Sequence, residues 1–378
     1  MATNLMDSFD DELPVLPKLN TLRKLKSEFR IQERIDSDPF RALVRMTQHD
    51  PYDKIIHEIG IYKVFIHYWL PDQIKLYNEY AKRQKPSIFI DATGSVVSKT
   101  PRENKSTSGH LLLYCGVIKL KGESEGQVPV VQMISERHNA SAIHYWLSEW
   151  RRLGATQPKE VVVDFSYALL NAVCRAFCGT LDTSEYLKKC MMVLNGKREF
   201  LPTCYLRIDV AHLLKAVGSW REIHPSTIRP RIRQFYLRGI GQLILTSHLN
   251  EAKEILLSLF VTALSETEGN LSDGRPTICE QMKNNLKKKI ACGLQQSAVD
   301  SMAEIDIDFE KDVQDTFEDI YTTDTIKTWV QESLDEAKHL AIKDEGDRYN
   351  LMYLPKIASR IKVLCYTAIY NLSNTILD

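Results

Sequence analysis

Apolar residues recur first at helical spacing, then in short β-rich runs, then at helical spacing again. Leu22, Leu25, Phe29 and Ile31 give an approximate helical stripe, and residues 21–84 read as helical. A more apolar stretch follows, with Ile55, Ile56, Ile59 and Ile61 to Phe65. Pro71 punctuates it, and Gln73 to Arg83 resumes as an amphipathic helix. The pair Tyr68 and Trp69 reads as a packing anchor. Residues 1–20 are polar and Pro-punctuated, the composition of a loose tail.

The texture changes at Pro86. Ser87 to Asp91 is a short apolar run ending on an acid, and Ala92 to Ser95 is a turn signal. Residues 97–108 are polar and basic, with Lys99, Arg102 and Lys105. His110 to Leu120 and Val128 to Ile134 are β-rich runs joined by a turn, so antiparallel strands are expected. Ile143, Trp146, Leu147 and Trp150 mark a helix ended by Gly154. Lys159 to Asp164 is a second strand ending on an acid. Ser166 is placed to cap the helix Tyr167 to Phe177, and Thr183 to Leu194 follows as another helix. Thr203 to Asp209 is a third such strand, followed at once by a helix from Val210 to Val217. After about Pro225 the pattern is helical throughout: Ile232–Leu249, Ala252–Leu264, Met282–Leu294, Thr325–Ile342 and Leu354–Leu372.

This order predicts an α/β fold, a ribonuclease-H-like (RNase H-like) mixed sheet of β-β-β-α-β-α-β-α order with helices on both faces. The expected parts are a disordered tail (1–20), a helical N-terminal region (21–85), the core (86–220) and a large C-terminal all-α insertion (221–378). Three strands end in Asp: Asp91, Asp164 and Asp209. Strand ends in open sheets line one edge, where ligands bind. Two carboxylates on adjacent strands suit Mg²⁺, a hard ion that takes oxygen ligands. Such ions promote in-line phosphoryl displacement. An Asp after an apolar strand is also a common turn or cap residue, and for any one of the three that is the better reading. Three in one fold order weaken it.

Composition limits the alternatives. Lys plus Arg equals Asp plus Glu at 49 each, so a basic footprint for nucleic acid has to be local. The eight cysteines contain no C-x-x-C pair, and Cys174 and Cys178 read as core packing rather than zinc ligands. No signal-peptide pattern and no membrane-spanning apolar run is present, which predicts an intracellular, reduced protein without a membrane partner. The acidic stretch Glu304 to Asp319 reads as a solvated face or loop.

Three motifs resemble the Mutator-like element (MULE) transposases, most closely the Foldback-associated (NOF) branch. Ile88 to Val97 (IFIDATGSVV) resembles the first catalytic-Asp strand, and Val161 to Ala172 (VVVDFSYALLNA) the second. Arg207 to His212 (RIDVAH) resembles the Cys/Asp-x-x-His element. The regions Ile61 to Tyr80 and Gly346 to Pro355 are also similar, so the resemblance covers roughly residues 40–365. It implies that Asp91 and Asp164 are two catalytic, metal-holding acids of a DDE triad, with Mg²⁺ or Mn²⁺ as cofactor. It implies that Asp209 and His212 sit beside them. His212 could hydrogen-bond a carboxylate, approach a phosphate, or serve as a satisfied capping residue. The third acid, a Glu on a helix after the insertion, has no match; Glu332 and Glu336 read as surface residues. The chain is therefore expected to stop before the last core helix and to be incomplete or inactive alone.

Lys215, Arg221, Arg229, Arg231, Arg233 and Arg238 form a basic cluster after the Asp209 strand, broken by Pro225 and Pro230. It is the candidate DNA-binding segment. The run Lys283 to Lys289 reads as a solvated basic face. The expected partners are DNA, as transposon ends and target, and a second copy in a homo-oligomer, in the nucleus. The competing reading is a domesticated, non-catalytic DNA-binding or protein-interaction module; a host nuclease of the same fold is a third.

Overall fold

The computed structural model describes residues 19–32, 34–94, 99, 107–120, 126–246, 248–292, 324–342 and 346–372. Residues 1–18 of the expected tail, the acidic stretch Glu304 to Asp319, and Arg102 and Lys105 lie outside the described residues.

Strands β1 (Ile56–Gly60) and β2 (Phe65–Tyr68) form an antiparallel hairpin where helix was expected. A short apolar run fits either period, and here the turn decides. Ile61 and Tyr62 sit exposed at its tip, so they never joined a helical stripe. The Phe65 ring lies so close over Gly60 that a Cβ there would fall 2.0 Å from Cε1. Helices α1 (Leu19–Gln32), α2 (Pro39–Met46) and α3 (Pro71–Arg83) account for the helical part of this region. Trp69 is buried and stacks on His57, as a packing anchor should.

The remaining strands are β3 (Ser87–Thr93), β4 (Leu112–Leu120), β5 (Gly126–Ser135), β6 (Glu160–Val163) and β7 (Tyr205–Ile208). Among the described residues they join the hairpin in one sheet of order β1-β2-β5-β4-β3-β6-β7. β3, β6 and β7 run parallel, whereas β4 is antiparallel to both β3 and β5. Alternation sets the faces: Ile88 and Ile90 are buried, whereas Phe89 is 38% exposed and Asp91 is exposed. α4 (Ala140–Arg152), capped by Asn139, buries Ile143, Trp146, Leu147 and Trp150. Trp146 donates to the Gln132 carbonyl, and Trp150 meets Tyr77 of α3.

α5 (Tyr167–Val173) continues as one wide turn to Cys178. Ser166 holds the N-cap position without a side-chain cap bond, contrary to its expected role. α6 (Thr183–Leu194) and α7 (Val210–Gly218) complete this part. Cys174 and Cys178 are buried thiols outside any disulfide, as the core reading requires, and Cys190 and Cys204 are buried beside them in the same core.

Helices α8 (Pro230–Leu245), α9 (Leu249–Leu264), α10 (Ile278–Cys292), α11 (Asp324–Ile342) and α12 (Pro355–Leu372) pack around α9. The region is not all-α: β8 (Thr267–Glu268) pairs with β9 (Arg348–Tyr349). Nor is it separate from the sheet, because α12 packs on β7 and α6 as well as on α8 and α9. Helix α12 thus ties this region back to the sheet. Gly346 to Pro355 reads in three dimensions as a clamp. The buried Asn350 amide donates to the carbonyls of Thr262 and Ser265, both at 2.8 Å. Gly346 lies directly on the Glu268 backbone, where no Cβ fits.

Candidate active site

The register of three parallel strands brings the acids together. Ile90 pairs with Val163, and Val163 with Ile208, so Asp164 and Asp209 follow just past β6 and β7, beside Asp91, which lies inside β3 because that strand runs on through Thr93 against β4, past the turn expected at Ala92. The Asp209 amide donates to the Val163 carbonyl at 2.8 Å, which carries the alignment past the last ladder pair.

The three carboxylates differ. Asp209 is a helix cap: its Oδ1 accepts from the amides of Ala211 (2.7 Å) and His212 (3.1 Å). Asp91 is exposed, and its Oδ1 accepts from the Ala92 amide at 2.7 Å. Asp164 is half-buried, and its Oδ1 is a buried oxygen with no hydrogen-bond partner among the described residues. Burial pushes the Asp164 carboxyl up to about 6, with the Asp91 charge adding to the rise. Tyr114 and Cys115 of β4 are neighbours that the sequence did not reveal. Burial raises both, and the charge of Asp164 adds to the first and that of Asp91 to the second.

His212 sits one turn into α7, with Nδ1 3.6 Å from Asp209 Oδ1. The Asp209 carboxylate raises its pKa above the ordinary value; burial works the other way, and Asp91 and Asp164 add to the rise. The same contact lowers Asp209. The pair's stabilisation is thus present below the ordinary histidine range and lost as pH rises through the raised folded value. An NMR titration of His212 is expected to give a midpoint above 6.5, falling back in Asp209→Asn. An unchanged midpoint in that variant would remove the pairing.

Lys215 on α7, Arg229 at the N-cap of α8 and Arg231 in its first turn are exposed, and Arg238 is half-buried. Arg233 departs from the expected DNA-binding set: it is 8% exposed. Its guanidinium packs beside Gly218, the last residue of α7, where a cation meets the helix's carbonyl end. Arg231 lies close enough to Lys287 for its charge to help lower that lysine, after burial and Lys283. Lys283 is not a solvated cation either. It is buried between Glu268 and Glu280.

Among the described residues, no group of three or more His, Cys, Asp or Glu side chains is placed to hold a metal ion. Nor is any helix there long and apolar enough to cross a membrane. Helix α12 carries no Asp or Glu.

The chain is 34% identical over 277 residues to the 120.7 kDa protein in NOF-FB transposable element of Drosophila melanogaster. That stretch is 72% of this chain and 26% of the relative, so the chain spans about a quarter of the protein it matches. No family model matches.

Proposed function

We propose that this is a transposon-derived protein of the Mutator-like, Foldback/NOF-associated lineage, built on an RNase H-like core. The core is of the kind that cuts and joins DNA by metal-assisted phosphoryl transfer, with Asp91 and Asp164 as two of the metal-holding acids, and without a third acid this chain is incomplete or inactive alone. The observation that carries this is their placement side by side on adjacent parallel strands, one residue past the Ile90–Val163 pair. The strand order β5-β4-β3-β6-β7, with β4 alone reversed, supports the core assignment. Similarity to a transposable-element protein supports the lineage.

The donor set fits a hard cation. Asp164 offers a buried, unpartnered oxygen, and exposed Asp91 likewise follows the Ile90–Val163 pair by one residue. A bound Mg²⁺ or Mn²⁺ polarises a phosphoryl oxygen and acidifies a water. His212 holds a proton beside the two acids and presents positive charge to a phosphate. Lys215, Arg229, Arg231 and Arg238 contact the DNA backbone, in a nuclear protein.

Calorimetry tests the site. Mn²⁺ titrated into the chain is expected to give a saturable heat that Asp91→Asn with Asp164→Asn abolishes. Equal heats from both proteins would sink the metal reading. DNA binding that weakens with salt, without nicking in Mn²⁺, would leave a binding module in place of an enzyme.

A further inference from the structure

Strands β1, β3 and β5 run the same way, so the turn that closes the β1–β2 hairpin stands on the sheet edge that carries the three acids. The pairing sets its height. Gly60 pairs with Phe65, Phe65 with Ser135 and Ser135 with Leu112, whose neighbour Leu113 pairs with Thr93. The hairpin tip, Ile61 to Lys63, thus rises past the row of Gly94, three residues beyond Asp91. Across the sheet β2 lies three strand spacings from β3, about 14 Å, and three residues add about 10 Å of height. The tip therefore stands roughly 20 Å from Asp91, the rise of about six base pairs.

That tip is apolar, and it is held in place. Tyr62 is 94% exposed and Ile61 51%, and Lys63 beside them is exposed. Side chains left in water add nothing to the core. The turn beneath them is anchored. Val64 is buried, its amide donates to Glu136 Oε2 at 3.0 Å, and its carbonyl accepts from the Glu136 amide at 2.7 Å. The other Glu136 oxygen accepts from the Gly109 amide, just before β4. The Phe65 ring closes over Gly60. Contact residues work best on such a fixed support. Three residues fall far short of the roughly 800 Å² a side that a stable protein interface buries. They match the size of a single base step.

We propose that this tip is a DNA wedge: on a duplex whose phosphodiester lies at Asp91 and Asp164, Ile61 and Tyr62 enter a base step about six pairs away, and Lys63 meets the backbone there. This rests on the DNA reading above. Proteins that kink DNA insert apolar side chains between bases in this way, and an aromatic ring stacks on the base it uncovers. A mismatched step is already weakly stacked, so a wedge enters it at lower cost.

The test is fluorescence anisotropy with two duplexes, one fully paired and one with a central mismatch, in EDTA so that the metal site adds nothing. The wild-type chain is expected to bind the mismatched duplex about tenfold tighter. Tyr62→Ala should lose roughly 5- to 150-fold on that duplex, the range for one base–aromatic stack, and the preference with it. Its slope of log affinity against log salt should not change, whereas Lys63→Gln should lower that slope by about 0.9. Urea melts check that these exposed substitutions leave stability alone. Equal affinity of Tyr62→Ala and wild type for the mismatched duplex, or an unchanged slope in Lys63→Gln, overturns the proposal. So does a dimer in sedimentation that Tyr62→Ala dissociates, which would make the tip a contact between copies. Wild-type binding without mismatch preference removes the wedge and leaves the DNA reading standing; no binding to either duplex removes both.

Discussion

Asp164→Asn is expected to be more stable than the wild type at pH 7.5 without metal, by about 3 kcal/mol, and no more stable at pH 4. The folded chain holds the Asp164 carboxyl up at about 6 against 3.8 ordinarily, through burial and the Asp91 charge. A raised carboxylate pKa means the folded state binds the proton more tightly. Stability from this group therefore falls as pH rises from about 4 to about 6, and the full penalty, about 1.4 kcal/mol per unit, applies above. Asparagine carries no charge and escapes it. Divalent metal should reverse the order, because only the wild type gains by binding: about 4.1 kcal/mol at a thousandfold excess over Kd. Urea melts at pH 4 and 7.5, with and without Mn²⁺, read both effects. A less stable Asp164→Asn at pH 7.5 without metal would show that Asp164 carries no such strain. Destabilisation concentrated in a group placed for chemistry is the usual trade between stability and activity.

Much of this was legible in the sequence because strands and acids are local. The runs ending at Asp91, Asp164 and Asp209 needed only an apolar stretch and the residue after it. What separated the three was not local. Asp209 turned out to be the cap that any such Asp could be, whereas Asp164 has a buried oxygen without a partner. That contrast depends on how Val163 pairs with both neighbours. Tyr114 and Cys115 were invisible for the same reason: they come from an antiparallel strand whose register lies in the sheet. The hairpin over Ile56 to Tyr68 was misread because a short apolar run fits two periods. Arg233 was misread because charge in a sequence says nothing of depth. The similar segment Gly346 to Pro355 was noticed, but its work as a clamp on the α9 end shows only in the contacts of Asn350.

Lys283 is a second place where the sequence pointed to the surface, and here replacing the charge should cost most. Lys283→Met is expected to destabilise the chain by about 3–5 kcal/mol, the usual cost of removing one partner from a buried ion pair. Lys283 is 4% exposed, and its ammonium lies against Glu268 and 2.9 Å from Glu280. Burial alone would push that ammonium down, yet the two carboxylates hold it above the ordinary lysine value. Glu280 has other partners, Arg348 at 3.3 Å and Asn284 at 3.0 Å, and should tolerate the loss. Glu268, 8% exposed on β8, would be left as a buried charge. One consequence separates this from a simple packing defect. Adding Glu268→Gln should recover most of the loss, because no unpaired charge remains. Chemical denaturation of both variants decides the matter. A single variant within 1 kcal/mol of the wild type at neutral pH, against the expected loss of about 3–5 kcal/mol, would mean that β8, β9 and α10 are held together by packing alone.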